Sequence, residues 1–362
     1  MLAAMAGVAD LGLVIGRFPS GPTRSIIDVP GVGVGHATVW RDEPDPPDGR
    51  GIARTGVSVI VPSADPYRHP LPAGGAVLNG AGECTGFLGA QEWGLIESPI
   101  FLTSTMQLGR VYDAACELMI AENEEVGSDV VIPVVAECDD SHLNDARRMQ
   151  VTKAEVTSAY AAARASVGSS VAPAQGAVGA GTGMVCLGFK GGIGTASRVV
   201  PGGYTVGVLL LTNFGDRVRL TVGGVGMGRL LPGPVADPTP PDAGSCIGIV
   251  LTDAPVDAQG CARLARRVGL GLARTGSVAT HGSGEIFLAA STAMAASRGT
   301  RSSLKTLVGN EHDVLFEAVV DATEEAVIAS MLAAPTVTGR NGHTVPGLDL
   351  EEVRALLATN AR

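Results

Sequence analysis

The stretch DAGSCIGIVLTDAP, residues 242–255, decides how this chain is read. CIGIVLT (246–252) is a short apolar run of strand length rich in β-branched and aliphatic residues, and it reads as a buried strand. In front of it stands Gly244–Ser245, and in front of that GRLLPGPVADPTPPDAG (228–244), whose five prolines exclude helix and central strand. This segment is the best linker candidate in the chain. The Gly–Ser pair admits two readings. One is a plain turn at a strand entry; the other is a peptide bond that is cut, so that Ser245 becomes an N-terminus.

Working outward, YTVGVLLLTN (204–213), VSVIV (57–61), GEIFLAAS (284–291) and DVVIPVVAE (129–137) read as strands, the last interrupted by Pro133. Helical spacing runs over 109–127, 152–168 and 257–275, near 323–334, and from Asp349. Thr152 and Glu155 have capping-box spacing, and Asp257 caps its own helix. Strands and helices alternate without a βαβ rhythm, so the expected class is α+β with sheets sandwiched between helices.

The bulk numbers agree with a folded globular chain. It has 362 residues, is 45% hydrophobic and only 17% charged, and carries 50 glycines. A net charge of −10 without any Lys/Arg-rich run argues against a nucleic-acid binder. No apolar stretch is long enough to predict a membrane span. The N-terminal stretch has no basic residue before its apolar part, and Asp10 interrupts it, so a secretory signal is not expected. Six cysteines without a C-x-x-C pair read as reduced thiols in a cytoplasmic protein.

Several familiar sites are absent. No serine sits in G-x-S-x-G, none of Lys153, Lys190 and Lys305 completes a P-loop, and there is no H-E-x-x-H. The glycine strings at 31–36 and 176–183 do not open a helix followed by an acidic residue as dinucleotide binding requires. Ser245 therefore needs another base. Cutting before it would release its own α-amine, with a reference pKa of about 7.7–8.0, tethered beside the hydroxyl. Gly244 brings no Cβ to obstruct that attack. In THGSGEIF (280–287), Ser283 and Glu285 share one strand face and can relay a proton, although a turn with a solvated glutamate is the plainer reading. Asn213, ending a buried strand, can donate to an oxyanion or simply cap a turn. Glu137 with Asp139 and Asp140 forms a carboxylate cluster that can hold a substrate ammonium or face water.

These segments together resemble the DmpA-type family, the group of L-aminopeptidase/D-esterases and β-peptidyl aminopeptidases that process themselves into N-terminal-nucleophile-like hydrolases. The resemblance runs from about residue 24 to about 335, through RSIIDVPGVGVGHATV, NGAGECTGFLGAQEWG, VGAGTGMVCLGFKGGIGTASR, GSCIGIVLTDAP and GSGEIFLAAST. It implies a four-layer α/β/β/α sandwich, and cleavage into residues 1–244 and 245–362 that remain associated. It implies release of N-terminal residues from short peptides, amides or esters, D-residue or β-peptide substrates included, without metal or cofactor. Carried onto this chain, it makes Ser245 the nucleophile, Ser283 and Glu285 its assistants, Asn213 an oxyanion donor and Glu137 the anchor of the substrate amine. Assembly as a homotetramer is expected. One departure stands out in ECDDSHLND (137–145): Asp139 occupies a position where the family often has an aromatic residue. A pocket holding Glu137 and Asp139 is expected to favour cationic amino groups. The alternatives are an ornithine-acetyltransferase-like acyl transferase, whose nucleophile is typically threonine, and a scaffold impaired by Asp139. Cys246 is expected to point into the core.

Overall fold

The computed structural model describes residues 7–232, 244–300 and 302–360. Residues 233–243, most of the expected Pro-rich linker, lie outside them. In chain order the strands are β1 (Gly33–Asp42), β2 (Ile52–Val61), β3 (Leu71–Gly80), β4 (Leu95–Ile96), β5 (Ile100–Ser104), β6 (Val134–Cys138), β7 (Val185–Cys186), β8 (Phe189–Lys190), β9 (Gly192–Val199), β10 (Thr205–Asn213), β11 (Gly244–Thr252), β12 (Ser283–Ser291), β13 (Val337–Thr338) and β14 (Thr344–Val345). The helices are α1 (Phe87–Glu92), α2 (Leu108–Glu122), α3 (Lys153–Ala165), α4 (Ala258–Thr275), α5 (Asp313–Leu332) and α6 (Leu350–Asn360).

Two sheets carry the fold. One has four strands in the order β1-β2-β5-β6, and the other six in the order β4-β3-β12-β11-β10-β9. Strand residues alternate between faces, and here both faces of each sheet are apolar. On the large sheet Leu209, Leu211, Ile247, Ile249 and Leu251 meet Ile60, Ile100, Leu102 and Ala136 of the small sheet. Their neighbours Val208, Leu210, Cys246 and Val250 face α4 and α5 through Leu264, Val268, Val319 and Ala326. Val57, Val59 and Val135 of the small sheet face α2 and α3 through Val111, Ala115, Val156 and Ala159. The order of layers is thus helix, sheet, sheet, helix, as the resemblance implies. Cys246 is core on the helix side, as expected, and all six cysteines are free thiols.

Local signals hold in detail at α3, where Thr152 and Glu155 form the capping box, and at α4, where Asp257 accepts from the Gly260 amide. Three boundaries differ from the sequence reading. The helix expected over 109–127 ends at Glu122, where extended Asn123 breaks it before a 3-10 turn at Glu124–Gly127. The strand expected from 129 begins only at Val134, because Pro133 has no N–H for a ladder. The helix expected near 323 begins ten residues earlier, at Asp313. The only residues of α5 that are not buried, Asp313, Val314 and Glu317, lie in its first turns, and everything from Ala318 to Leu332 is buried. Its acidic residues Asp321, Glu324 and Glu325 pair with Arg274 (2.6 and 3.3 Å) and Arg198 (2.7 Å).

The inter-sheet core carries this arrangement. Ile249→Ala, at a side chain 1% exposed between the sheets, is expected to cost about 2–5 kcal/mol through lost contacts and the cavity left behind. Urea titration should show a lower midpoint, whereas Val14→Ala, at a position 89% exposed, should leave it within about 0.5 kcal/mol.

Candidate active site

The run that follows the Gly–Ser pair does not begin at Cys246; β11 starts at Gly244, so both residues are already in the sheet. Strand parity puts Ser245 on the face of Ile247 and Ile249, between the sheets. It is 4% exposed and lies at the end of the inter-sheet core, where the layers part into a cleft of about 730 Å³.

Each neighbouring strand delivers one functional group to this point. β10 pairs antiparallel with β11 and sets Asn213 directly opposite Ser245. The Asn213 side chain is fixed at both ends: its Oδ1 accepts from the Val185 amide (2.9 Å), and its Nδ2 donates to the Asp139 carbonyl (2.8 Å). Because an N–H faces Oδ1, the amide orientation is determined, and Nδ2 points at Ser245 Oγ, 3.4 Å away. On the other side β12 runs parallel to β11, pairing Gly244 with Ser283 and Ser245 with Gly284. Ser283 Oγ donates to Glu285 Oε1. Glu285 is wholly buried, and burial raises its carboxyl above the usual range while the Ser283 hydroxyl pulls it partly back. Its Oε2 has no hydrogen-bond partner among the described residues. The reading of THGSGEIF as a solvated turn therefore falls.

Two glycines lie in close contact with the site, and backbone contact requires the second. A Cβ at Gly244 would lie 2.9 Å from Ser283 Oγ and 3.3 Å from the Asn213 carbonyl. A Cβ at Gly284 would lie 2.3 Å from the Ala81 carbonyl, so glycine there lets the 81–83 wall close on the sheet. That wall brings the Glu83 amide to Glu137 Oε1 (2.8 Å), while the Thr105 hydroxyl donates to Glu137 Oε2. Glu137 is buried at the cleft, and burial raises its carboxyl while these two donors lower it.

The structure sets Asn213 against Ser245, Ser283 with Glu285 against Gly244, and Glu137 and Asp139 along the cleft that Ser245 lines, and it corrects the carboxylate cluster. Asp140 is not in the cleft; it is buried behind it, bonded to Ser104 (2.8 Å) and Asn144 (3.0 Å), with burial pushing its carboxyl up to about 6. Asp139 lines the cleft, but its carboxylate accepts from the Ser141 amide (2.9 Å) and hydroxyl (3.0 Å). Arg147 and Arg340 also line the cleft, so it is not purely acidic. Among the described residues no group of His, Cys, Asp or Glu is arranged to hold a metal ion, and no helix is long and apolar enough to cross a membrane.

Sequence reasoning missed Lys190, which supports the site from below. It is fully buried, and its Nζ donates to the carbonyls of Gly181 (2.9 Å), Met184 (2.6 Å) and Gly191 (2.9 Å). Three acceptors match the three donors of an ammonium, although burial draws its pKa down to about 7. The loop it ties together presents the Val185 amide to Asn213. A lone lysine in a glycine-dense segment carries no sequence signal for this.

The chain matches peptidase family S58 over residues 24–345 and belongs to that family. It is a peptide-bond hydrolase of the aminopeptidase type with an Ntn-hydrolase-type fold. It is 38% identical to β-peptidyl aminopeptidase BapA of Sphingosinicella microcystinivorans, over 96% of this chain and 91% of that one. Among solved structures it is similar to the L-aminopeptidase D-Ala-esterase/amidase of Ochrobactrum anthropi, described as a prototype for the serine aminopeptidases and a variant of the Ntn hydrolase fold (35% identity, TM-score 0.89, 98% of this chain and 99% of that one). A Burkholderia β-aminopeptidase matches at 37% identity and TM-score 0.84, covering 99% of each chain.

Lys190→Met takes a charged donor from three buried carbonyls, of which those of Gly181 and Met184 keep a backbone N–H, an expected loss of roughly 2–4 kcal/mol. Calorimetry should show a lower melting temperature, and peptide hydrolysis should fall by more than the folded fraction accounts for, because Asn213 loses its anchor.

Proposed function

We propose that this chain cuts itself before Ser245 and then hydrolyses the N-terminal residue from short peptides, amino-acid amides or esters, with Ser245 as nucleophile. The observation that carries the proposal is the convergence of Asn213 and Ser283–Glu285 on Gly244–Ser245 from the two strands that flank it. In the uncut chain Ser245 Oγ attacks the Gly244 carbonyl carbon. Its proton passes by way of Ser283 and Glu285 to the Ser245 nitrogen, which leaves as a free amine, and water hydrolyses the Gly244 ester. Gly244 suits this step because nothing projects from it toward Ser283.

In the cut form the Ser245 amine is the base. It takes the proton from Oγ as Oγ attacks the substrate carbonyl and returns it to the departing amine. Asn213 Nδ2 faces the oxyanion that forms, at a site where a fixed donor is worth far more than in water. Water then hydrolyses the acyl-enzyme, so each turnover consumes one water. Ionised Glu137 holds the free ammonium of the substrate and thereby confines attack to the first peptide bond. The names of the relatives support N-terminal residues of the β-amino or D-alanyl kind as substrates. Leu88, Trp93 and Ile132 line one apolar hollow and are exposed, which supports the expected self-association.

Ser245→Ala is expected to remain one uncut chain on denaturing gels and to hydrolyse no aminoacyl substrate; an uncut variant that keeps wild-type turnover would remove the proposal. The acid side of the pH profile tests Glu137. Its raised pKa means that its charged form is lost, and substrate binding with it, as pH falls through a value above the usual glutamate range of about 4.3. The Thr105 hydroxyl lowers that pKa, so Thr105→Val is expected to move the acid limb of kcat/KM to higher pH while the alkaline side stays in place.

A further inference from the structure

One wall of the cleft carries positive charge that the reaction described above does not use. Arg147 and Arg340 both line it, and they come from segments pinned to one another. The hairpin β13–β14 is seated on residues 142–145: the Arg340 amide donates to the Leu143 carbonyl (2.8 Å), His343 stacks on His142 (4.6 Å between rings), and a Cβ at Gly339 would lie 2.1 Å from the Leu143 carbonyl. This close fit fixes Arg340 beside the 145–148 segment.

Three arginines gather there around one buried carboxylate. Arg147 grips Asp145 through Nε (2.8 Å) and Nη2 (2.9 Å), Arg148 reaches it at 3.5 Å, and the Arg340 charge acts on it as well. Asp45 is the other carboxylate acting on Arg147. Two carboxylates face three guanidinium groups, so one positive charge is left over. Asp145 engages two of the five N–H donors of Arg147, and Arg340 Nε is buried with no hydrogen-bond partner among the described residues. The cleft is also lined by Glu83, Glu137 and Asp139; Glu137 is held on the Glu83 amide and Thr105, and Asp139 on Ser141.

A cleft with an acidic anchor, a nucleophile and a separate basic anchor is matched to a zwitterion. We propose that Arg147 and Arg340 receive the carboxylate at the far end of a short peptide whose ammonium sits on Glu137. The preferred substrates are then short peptides with a free C-terminal carboxylate over the corresponding amides. The proposal rests on the aminopeptidase reading given above and adds the recognition of the leaving portion. Guanidinium suits this role because its planar fork binds a carboxylate through paired, charge-assisted hydrogen bonds.

The test uses the full-length protein and two matched pairs, L-alanyl-leucine and β-alanyl-leucine, each as free acid and as C-terminal amide. For the pair that is turned over, kcat/KM for the acid should exceed that for the amide by about tenfold, the size of one charge-assisted hydrogen bond, and added salt should narrow the gap. Arg340→Gln and Arg147→Gln should each collapse the acid-to-amide ratio toward one, chiefly through KM for the acid. A ratio near one in the wild-type protein overturns the proposal and leaves the aminopeptidase reading standing. So does a ratio unchanged in both variants. Failure of the wild-type protein to hydrolyse any of the four compounds overturns the aminopeptidase reading and this proposal with it.

Discussion

The register of β11 between its two neighbours is the constraint on which the site depends. Side chains along a strand alternate, so a slip of one residue would turn Ser245 to the helix side and Cys246 to the cleft. The apolar residues that follow forbid that slip, because Ile247, Ile249 and Leu251 are committed to the space between the sheets. Antiparallel pairing with β10 then places Asn213 against Ser245, and parallel pairing with β12 places Ser283 against Gly244. The chemistry is thus positioned by the same packing that holds the two sheets together.

Much of this was legible in the sequence because it is local. The i, i+2 relation of Ser283 and Glu285 follows from the period of a strand, and the capping residues of α3 and α4 follow from their own hydrogen bonds. What escaped depends on contacts between distant segments. Asp140 looked like its neighbours Glu137 and Asp139, yet it turns inward to Ser104 and Asn144. Lys190 works only through three carbonyls of its own loop. Arg340 lies nearly two hundred residues from Arg147, and only the seating of β13–β14 on residues 142–145 joins them. Burial on all sides erases the helical period of α5 only from Ala318 onward, so it does not account for the early turns, whose Asp313 and Glu317 are not buried.

Asp139 keeps a structural part through its backbone. Its carbonyl receives the Asn213 amide, a contact any residue at that position supplies. Its carboxylate is occupied by Ser141, which tempers the charge it adds to the cleft. The cleft is accordingly a mixed field, acidic around Glu137 and basic around Arg147 and Arg340.

The whole chemistry proposed rests on Ser245 becoming a chain terminus and attacking substrate from there. Top-down mass spectrometry of the wild-type protein, mixed with an aminoacyl ester that deacylates slowly, tests it most directly. Two chains are expected, the second beginning at Ser245 and carrying the acyl group on that residue. A single full-length chain that still turns over the ester, or an acyl group carried by any other residue, would contradict it.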